Sequence, residues 1–318
     1  MMADTAARTD PAASCTKAGH AALFYSGQAE YLEGVMGFLA PALTADEPIA
    51  IAVPGVHCQL LAEQIGRESG DLEIFDMREL GRNPARIIPA VHTMIERHAG
   101  RQLHYVGEPG WPGRSPEELQ EVTRHEALIN LAWPGAPIRV LCPYDAAGLA
   151  DEFLADAEVT HPWLMRSGQM TRSERYGDSQ FPPGVDHPLP DPPADALQMS
   201  FGVHDLSALR MLVSDFARRS GVASRRTEDL VIAVNEVATN AIKYTPAHGR
   251  LRVWSTPRTV VCQLDDRGHI ADRLAGRHRP VAGRNGGIGL WMVNQLCDLV
   301  ETRTTPDGTT IRLHAMRG

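Results

Sequence analysis

The sequence has few cysteines, no long apolar run and no excess of positive charge. Its 318 residues include five cysteines, an odd number without a CxxC pair, which predicts reduced thiols in a cytoplasmic protein rather than a disulfide framework. No apolar run approaches the roughly 20 residues that a membrane-spanning helix needs. The formal net charge of -8 argues against direct nucleic-acid binding, because phosphate contacts are usually made by a basic surface.

Signals for secretion, for a P-loop and for a metal site are also missing. Residues 1–17 lack the hydrophobic core of a signal peptide and are predicted to form a disordered tail. No G-x-x-x-x-G-K-[ST] loop follows the first predicted strand, which argues against a P-loop. His57, Cys58, Cys142 and His161 show no metal-ligand spacing, so the sequence predicts no metal site from them.

What remains is the composition of a globular protein of about two domains, with 43% hydrophobic and 22% charged residues. Helix and strand patterns alternate over residues 18–166, which predicts an α/β domain with a largely parallel sheet and helices on both faces. Residues 167–194 are rich in proline and are predicted to be a linker. Residues 195–318 predict an α+β domain, with helices on one face of a mainly antiparallel sheet.

The most informative stretch is residues 230–244, LVIAVNEVATNAIKY. As a helix starting after a predicted N-cap at Ser224, it has one apolar stripe and carries Glu236, Asn240 and Lys243 on another face. An amide oxygen suits magnesium, and a carboxylate can orient or deprotonate a hydroxyl group. The alternative is a solvated helix face with an ordinary polar pair.

Two later fragments favour a nucleotide site. An apolar, β-branched run ends at Asp266 and Gly268, where a carboxylate can accept a hydrogen bond from an adenine amino group. Further on, the fragment containing Gly287 and Gly289 leads directly into a predicted helix. Glycines at a helix start let backbone N–H groups approach phosphate oxygens. Three such fragments in this order are stronger evidence than any one of them.

With these motifs, residues 195–318 resemble the ATP-binding domain shared by gyrase, Hsp90, histidine kinases and MutL, which has the Bergerat fold. The resemblance is strongest to the anti-sigma-factor serine kinases. It implies that Glu236 is the general base and that Asn240 binds Mg2+. The residues that it assigns to ATP binding are Asn240, Lys243, Asp266, Gly268, Gly287, Ile288, Gly289 and Thr309. One departure is Ile270, where the family usually has glycine.

Two features separate the chain from other branches of that superfamily. The segment before Leu197 is rich in proline and has no dimerisation helix with a phosphoacceptor histidine. Only residues 270–284 separate the aspartate motif from the glycines, which is too short for the long lid of the larger relatives. A serine/threonine kinase and a non-enzymatic, ATP-gated binding module therefore remain as alternatives. Ile270 favours the second, and the presence of Glu236 favours the first.

The first domain resembles the MEDS sensory domain, which is related to ATPases of the RecA and KaiC type. The resemblance rests on the opening His-Ala-x-Leu-Phe-Tyr, on Gly107-Glu108 and on the Cys-Pro-Tyr-Asp at 142–145. Ligands of parallel sheets lie beyond the carboxyl ends of the strands, so the residues predicted to line a sensory crevice are Glu108, Glu126, Tyr144 and Asp145. Turns and helix caps use the same residue types, which is the alternative.

The two resemblances together imply a cytoplasmic partner-switching regulator. The first domain would sense a small molecule or a protein signal. The second would use ATP and Mg2+ to phosphorylate a serine or threonine of a STAS-type anti-anti-sigma protein, and would bind a sigma factor. The related kinases also imply a homodimer, although no residue stripe in this sequence indicates an interface.

Overall fold

The computed structural model describes residues 19–66, 71–177, 179, 181–182, 184–245, 249–280 and 287–318. The chain divides into two compact units. The first comprises the chain up to Leu80 together with Val91–Val185, and the second comprises Gly81–Ala90 together with Asp186–Gly318. The predicted tail at residues 1–17 lies outside the described residues.

The secondary structure follows the predicted alternation closely. The strands of the first unit are β1 (His20–Tyr25), β2 (Ile49–Val53), β3 (Leu72–Asp76), β4 (Leu103–Gly107), β5 (Ile138–Asp145), β6 (Trp163–Arg166) and β7 (Gln169–Arg172). The helices in this part of the chain are α1 (Gln28–Ala45), α2 (Gly55–Ile65), α3 (Met77–Leu80), α4 (Ile87–Arg97), α5 (Pro116–Ala132) and α6 (Asp151–Thr160).

The sheet of the first unit has the strand order β3-β2-β4-β5-β1-β6-β7. Its described strands pair in parallel, except for the antiparallel hairpin of β6 and β7. Every residue of β1, β2 and β4 is buried, as expected for a parallel sheet that is covered on both faces. The parallel arrangement places the carboxyl ends of β1, β2, β4 and β5 along one edge.

β5 runs to Asp145, and Pro143 pairs in register with Leu23 of β1. One feature of this sheet differs from the sequence prediction. β7 begins at Gln169, within the segment that the sequence predicts to be a linker. The sheet therefore extends further along the chain than the apolar pattern alone indicates.

The second unit contains β8 (Leu197–Phe201), α7 (Leu206–Arg219), α8 (Ser224–Tyr244), β9 (Gly249–Ser255), β10 (Thr259–Asp266), α9 (Ile288–Leu296), β11 (Leu299–Thr305) and β12 (Gly308–Met316). Its described strands form an antiparallel sheet in the order β11-β12-β10-β9-β8. The core joins apolar side chains of this sheet to the predicted apolar stripe of α8, which includes Leu230, Val234, Val237 and Ala241. This confirms the α+β sandwich.

None of the described helices is both long enough and apolar enough to cross a bilayer.

Candidate functional site

The helix α8 presents the first predicted motif. Its first helical residue is Ser224 and its N-cap is Ala223, which makes no side-chain cap, so the prediction of an N-cap at Ser224 is wrong. The apolar stripe faces the core, while Glu236 and Asn240 lie one turn apart and partly exposed. Lys243 is exposed and lies over the Tyr244 ring, with 5.0 Å from its Nζ to the ring centroid.

The start of α9 brings the third motif against the first. Gly287 is the N-cap of α9 with a φ of 87°, in the left-handed region that favours glycine. A Cβ atom placed on Gly289 would lie 3.1 Å from Nδ2 of Asn240 and 3.2 Å from Oε2 of Glu236. Any larger residue would press on both side chains. The structure therefore joins Glu236, Asn240 and Gly289 in one place, while the side chain of Ile288 is exposed.

A small cavity of about 100 Å3 lies next to this group. Asn240 of α8, Asp266 and Gly268 at the end of β10, and Thr309 of β12 all line it. Ile270, the departure from the family pattern, lines it too and packs against the core of the unit. The three sequence fragments therefore converge on one site.

The end of β10 is held by a specific set of hydrogen bonds. Asp266 Oδ1 accepts hydrogen bonds from the backbone N–H of Gly268, at 2.5 Å, and from the hydroxyl of Thr245, at 3.2 Å. Thr309 donates its hydroxyl hydrogen to the carbonyl oxygen of Gly268 at 2.9 Å. A Cβ atom on Gly268 would lie 2.6 Å from Asp266 Oδ1. The carboxylate can hold this orientation only because residue 268 is glycine.

These residues fit an ATP·Mg2+ complex. The Asp266 carboxylate borders the cavity, and a carboxylate there can accept a hydrogen bond from an adenine amino group. The Asn240 amide supplies an oxygen ligand of the type that Mg2+ prefers. It lies beside Gly289, at the start of a helix, where phosphate oxygens are favoured. The part of the third motif at Asn285 and Gly286 lies outside the described residues.

A larger cleft, of about 490 Å3, lies in the first unit. It is found at the carboxyl ends of β1, β4 and β5, and Tyr25, His57, Glu108, Trp111 and Asp145 are among the residues that line it. Its position agrees with the general rule for open parallel sheets. Two of the four predicted crevice residues, Glu108 and Asp145, therefore lie at one cleft.

Glu108 is the most deeply placed acidic group of this cleft and is only 1% exposed. Its carboxylate accepts a hydrogen bond from the Tyr25 hydroxyl at 2.9 Å and lies 2.7 Å from Nδ1 of His57. Burial raises the pKa of Glu108 above its usual value, against the opposing effect of His57 and Tyr25. The ring of His57 stacks on Tyr31, with 4.0 Å between the centroids. The cleft thus offers a ligand an ordered acidic and aromatic wall.

The other two predicted crevice residues, Glu126 and Tyr144, lie elsewhere. Glu126 is completely buried, and Oε2 lies 3.2 Å from Nε2 of His20 and 3.4 Å from Nε2 of His161. Tyr144 packs edge-on against His161, with 5.6 Å between the ring centroids. His20 opens the His-Ala-x-Leu-Phe-Tyr motif of the MEDS resemblance, but sequence reasoning gave it no site role, because no motif connects it to Glu126.

Comparisons with known proteins identify both parts of the chain. Residues 19–162 match the family described as "MEDS: MEthanogen/methylotroph, DcmR Sensory domain", and residues 200–315 match the "Histidine kinase-like ATPase domain". The crystal structure of the RsbU and RsbW domains of Rv1364c from Mycobacterium tuberculosis is similar at 18% identity and a TM-score of 0.30, covering 40% of this chain and 34% of that chain. No curated protein matches this chain significantly. The family matches confirm both resemblances seen in the sequence.

Proposed function

We propose that the chain is a signal-controlled protein serine/threonine kinase. The proposal starts from its two domains, because residues 19–162 form a MEDS domain and residues 200–315 a histidine kinase-like ATPase domain. Its phosphoacceptor would be a STAS-type anti-anti-sigma protein, and its second partner a sigma factor. The two partners follow from the resemblance of residues 195–318 to anti-sigma-factor kinases. The MEDS domain would control these activities by binding a small molecule in the cleft beside Glu108.

One observation carries the kinase proposal. The side chains of Glu236 and Asn240 meet the start of α9 at Gly289, with gaps of only 3.2 and 3.1 Å to a Cβ atom placed there. Asn240 also lines the cavity that Asp266 borders. The site therefore groups the parts that phosphoryl transfer requires. These are a carboxylate, an amide ligand for magnesium, a helix start and a hydrogen-bond acceptor for adenine.

The residues divide the work as follows. Asp266 accepts the hydrogen bond of the adenine amino group, and Asn240 provides an oxygen ligand to Mg2+. When bound, Mg2+ neutralises charge on the phosphates during transfer. Glu236 accepts the proton of the attacking serine or threonine hydroxyl as the bond to the γ-phosphorus forms and the bond to the β–γ bridging oxygen breaks. Gly289, which has no side chain, leaves room for phosphate oxygens at the helix start.

The test is transfer of labelled γ-phosphate from ATP·Mg2+ to STAS proteins of the same source, with Glu236→Ala and Asn240→Ala in parallel. We expect transfer by the wild-type chain and none by either variant. Glu228→Ala is the matched control, because Glu228 is an exposed carboxylate on the same helix. Transfer that survives in Glu236→Ala would remove the general base from the proposal.

A non-enzymatic module is the second candidate function, and Ile270 favours it. This side chain lines the cavity where related kinases usually have glycine, and it packs on the core. In such a module ATP would change the affinity for a partner and no phosphate would move. ATP binding with no transfer to any STAS protein, and with nucleotide-dependent capture of a sigma factor, would favour this candidate.

A further inference from the structure

Four buried side chains of the first unit form a cluster that does not line the cleft. His20, Glu126, Cys142 and His161 are each at most 5% exposed. One potential ligand atom from each lies within 4.8 Å of those of the other three. His20 belongs to β1, Glu126 to α5 and Cys142 to β5, and His161 is the C-cap residue of α6. Imidazole, carboxylate and thiolate are the ligands of zinc in proteins, so the fold gathers a complete ligand set.

The distances in this cluster match those between the ligands of one metal ion. A tetrahedral zinc ion with bonds of about 2.0–2.3 Å separates its donor atoms by roughly 3.3–3.8 Å. Oε2 of Glu126 lies 3.2 Å from Nε2 of His20, 3.3 Å from Sγ of Cys142 and 3.4 Å from Nε2 of His161. Sγ of Cys142 lies 3.5 Å from Nε2 of His20. Four of the six distances between the ligand atoms are therefore near the value expected around a tetrahedral ion.

Both histidine rings are oriented by contacts on their far side. Asn130 donates its amide hydrogens to the carbonyl oxygens of Thr160 and Glu126 at 2.8 and 3.4 Å, which turns its own oxygen toward Nδ1 of His20 at 3.0 Å. Nδ1 of His161 lies 2.8 Å from the carbonyl oxygen of Ala157. Each Nδ1 therefore carries the hydrogen, and each Nε2 of a neutral ring presents a lone pair to the cluster. Metal-binding histidines are held in this way.

The cluster also leaves buried polar atoms without hydrogen-bond partners. Among the described residues, Oε1 of Glu126 and Nε2 of His161 have none. Two imidazole lone pairs and a carboxylate facing one another in a buried place are costly unless a cation joins them. The carboxylate and a thiolate would together balance the charge of a divalent ion.

We propose that His20, Glu126, Cys142 and His161 bind one divalent transition-metal ion, for which zinc is the best chemical match. All four positions are filled by protein atoms, as in structural zinc sites, which leave no open position for a substrate. The ion ties α5 and the end of α6 to β1 and β5. Its binding energy therefore contributes to the stability of the first unit. This site is independent of the kinase proposal, because none of its residues belongs to the ATPase domain.

The test uses the full-length chain and two metals. We expect elemental analysis of the purified protein to find about one zinc per chain. After removal with a chelator, Co2+ should bind in the same ratio and give the strong visible absorption of a tetrahedral site and a near-ultraviolet thiolate-to-cobalt band. Cys142→Ser should lose that band, and His161→Asn should lose the metal.

Two control variants keep the test specific. Cys58→Ser removes a half-buried cysteine of the same unit that hydrogen-bonds only to backbone carbonyls of Val53 and Phe75 in the described structure. His104→Gln removes a buried histidine paired with Glu47. Both should keep the metal and its spectrum.

The wild-type result decides the matter even if a ligand variant fails to fold. A wild-type chain that takes up neither Zn2+ nor Co2+ would overturn the proposal, and the cluster would then be a hydrogen-bonded core network. Cobalt spectra that are unchanged in Cys142→Ser and His161→Asn would overturn it as well. The proposal is supported if Cys142→Ser loses the thiolate-to-cobalt band and Cys58→Ser keeps it.

Discussion

At the scale of single residues, the proposed role of each side chain in the ATPase site can be tested by a substitution that keeps its size. For Glu236 this substitution is glutamine. Glu236→Gln keeps the size of the side chain next to Gly289 but removes the proton acceptor. We expect phosphate transfer to fall by about a hundredfold to ten-thousandfold, the range typical of a lost general base. ATP affinity should stay unchanged, as measured by isothermal titration calorimetry alongside the transfer assay.

The control for that substitution is Glu228→Gln, which changes an exposed carboxylate of the same helix. It should leave both transfer and affinity at the wild-type level. If Glu236→Gln lowered ATP affinity and transfer by the same factor, its role would be binding rather than proton transfer.

Asp266 makes the opposite prediction. Its Oδ1 is already occupied by Gly268 and Thr245, so Asp266→Asn would place its amide hydrogens toward the adenine amino group. Two donors would then face each other, and an unpaired buried donor costs about 1–3 kcal/mol. We expect ATP affinity to fall about tenfold to a hundredfold. Asp307→Asn, an exposed carboxylate in the same domain, should leave affinity unchanged, and equal affinity in both variants would contradict the adenine role.

At the scale of secondary-structure elements, the turn between β11 and β12 is packed directly against the end of β10. Gly308 has a φ of 147°, and a Cβ atom there would lie 2.1 Å from the carbonyl oxygen of Asp266. Gly308→Ala should therefore lower the free energy of unfolding of the second unit by more than about 2 kcal/mol. It should also weaken ATP binding by displacing Asp266.

The matched control separates the clash from backbone strain. Gly221 also has a positive φ, of 83°, but a Cβ atom there meets nothing within 4 Å. Gly221→Ala should cost only about 1–2 kcal/mol, the usual strain of a left-handed residue. Urea unfolding of both variants measures the difference, and equal losses would mean that the contact with Asp266 is not limiting.

Asp298 joins three elements through one carboxylate. It immediately precedes β11, accepts a hydrogen bond from the backbone N–H of Met316 at the end of β12, at 2.8 Å, and pairs with Arg226 of α8. Burial acts to raise the pKa of Asp298, but these hydrogen bonds and the Arg226 charge outweigh it and lower the pKa. A lowered pKa means that the charged form stabilises the fold above the unfolded pKa, and that this contribution disappears as the pH falls through the folded pKa.

The expected result is a pH-dependent effect of Asp298→Asn. At pH 7 the variant should be less stable than wild type by about 3 kcal/mol, since it leaves Arg226 without its buried partner. As the pH falls below about 4 the two proteins should converge, because the wild-type carboxylate becomes neutral. Urea unfolding of the second unit at several pH values measures this, and a constant difference across the range would contradict it.

The elements show why most of the fold, but not all of it, could be predicted from sequence. Long periodic segments such as α8 can be predicted from their apolar stripe. The site residues Glu236, Asp266 and Gly289 can be predicted because each lies in a short sequence motif. The hairpin of β6 and β7 was missed because its strands have four residues each and β7 is largely exposed. β5 runs through Pro143, a residue that argues against a strand in a sequence, because there β5 lies beyond the residues that pair with β4.

The buried cluster shows the corresponding limit for sites. His20 and His161 are 141 positions apart in the numbering and come together only because β1 pairs with both β5 and β6. Metal sites with local spacing can be read from a sequence, whereas ligands from four separate elements cannot. Sheet topology is thus the information that the sequence patterns lack.

At the scale of the whole molecule, each unit has a hydrophobic core among the described residues, and these two cores share no residue. One is built from residues of β1, β2, β4, β5, β6, α1 and α2, and the other from residues of the antiparallel sheet with α7, α8 and α9. Each core is large enough to unfold as its own cooperative unit. We therefore expect two transitions in scanning calorimetry of the full-length chain.

ATP·Mg2+ should stabilise only the transition that belongs to the second unit, because a ligand stabilises what it binds. At a concentration one hundred times the dissociation constant, the gain is about 2.7 kcal/mol. Asp266→Asn should remove most of this shift at the same ATP concentration, while leaving the other transition in place. A single transition that moves as a whole with ATP would show instead that the two cores unfold together. In that case the binding of a signal by the MEDS domain would add directly to the stability of the ATPase domain.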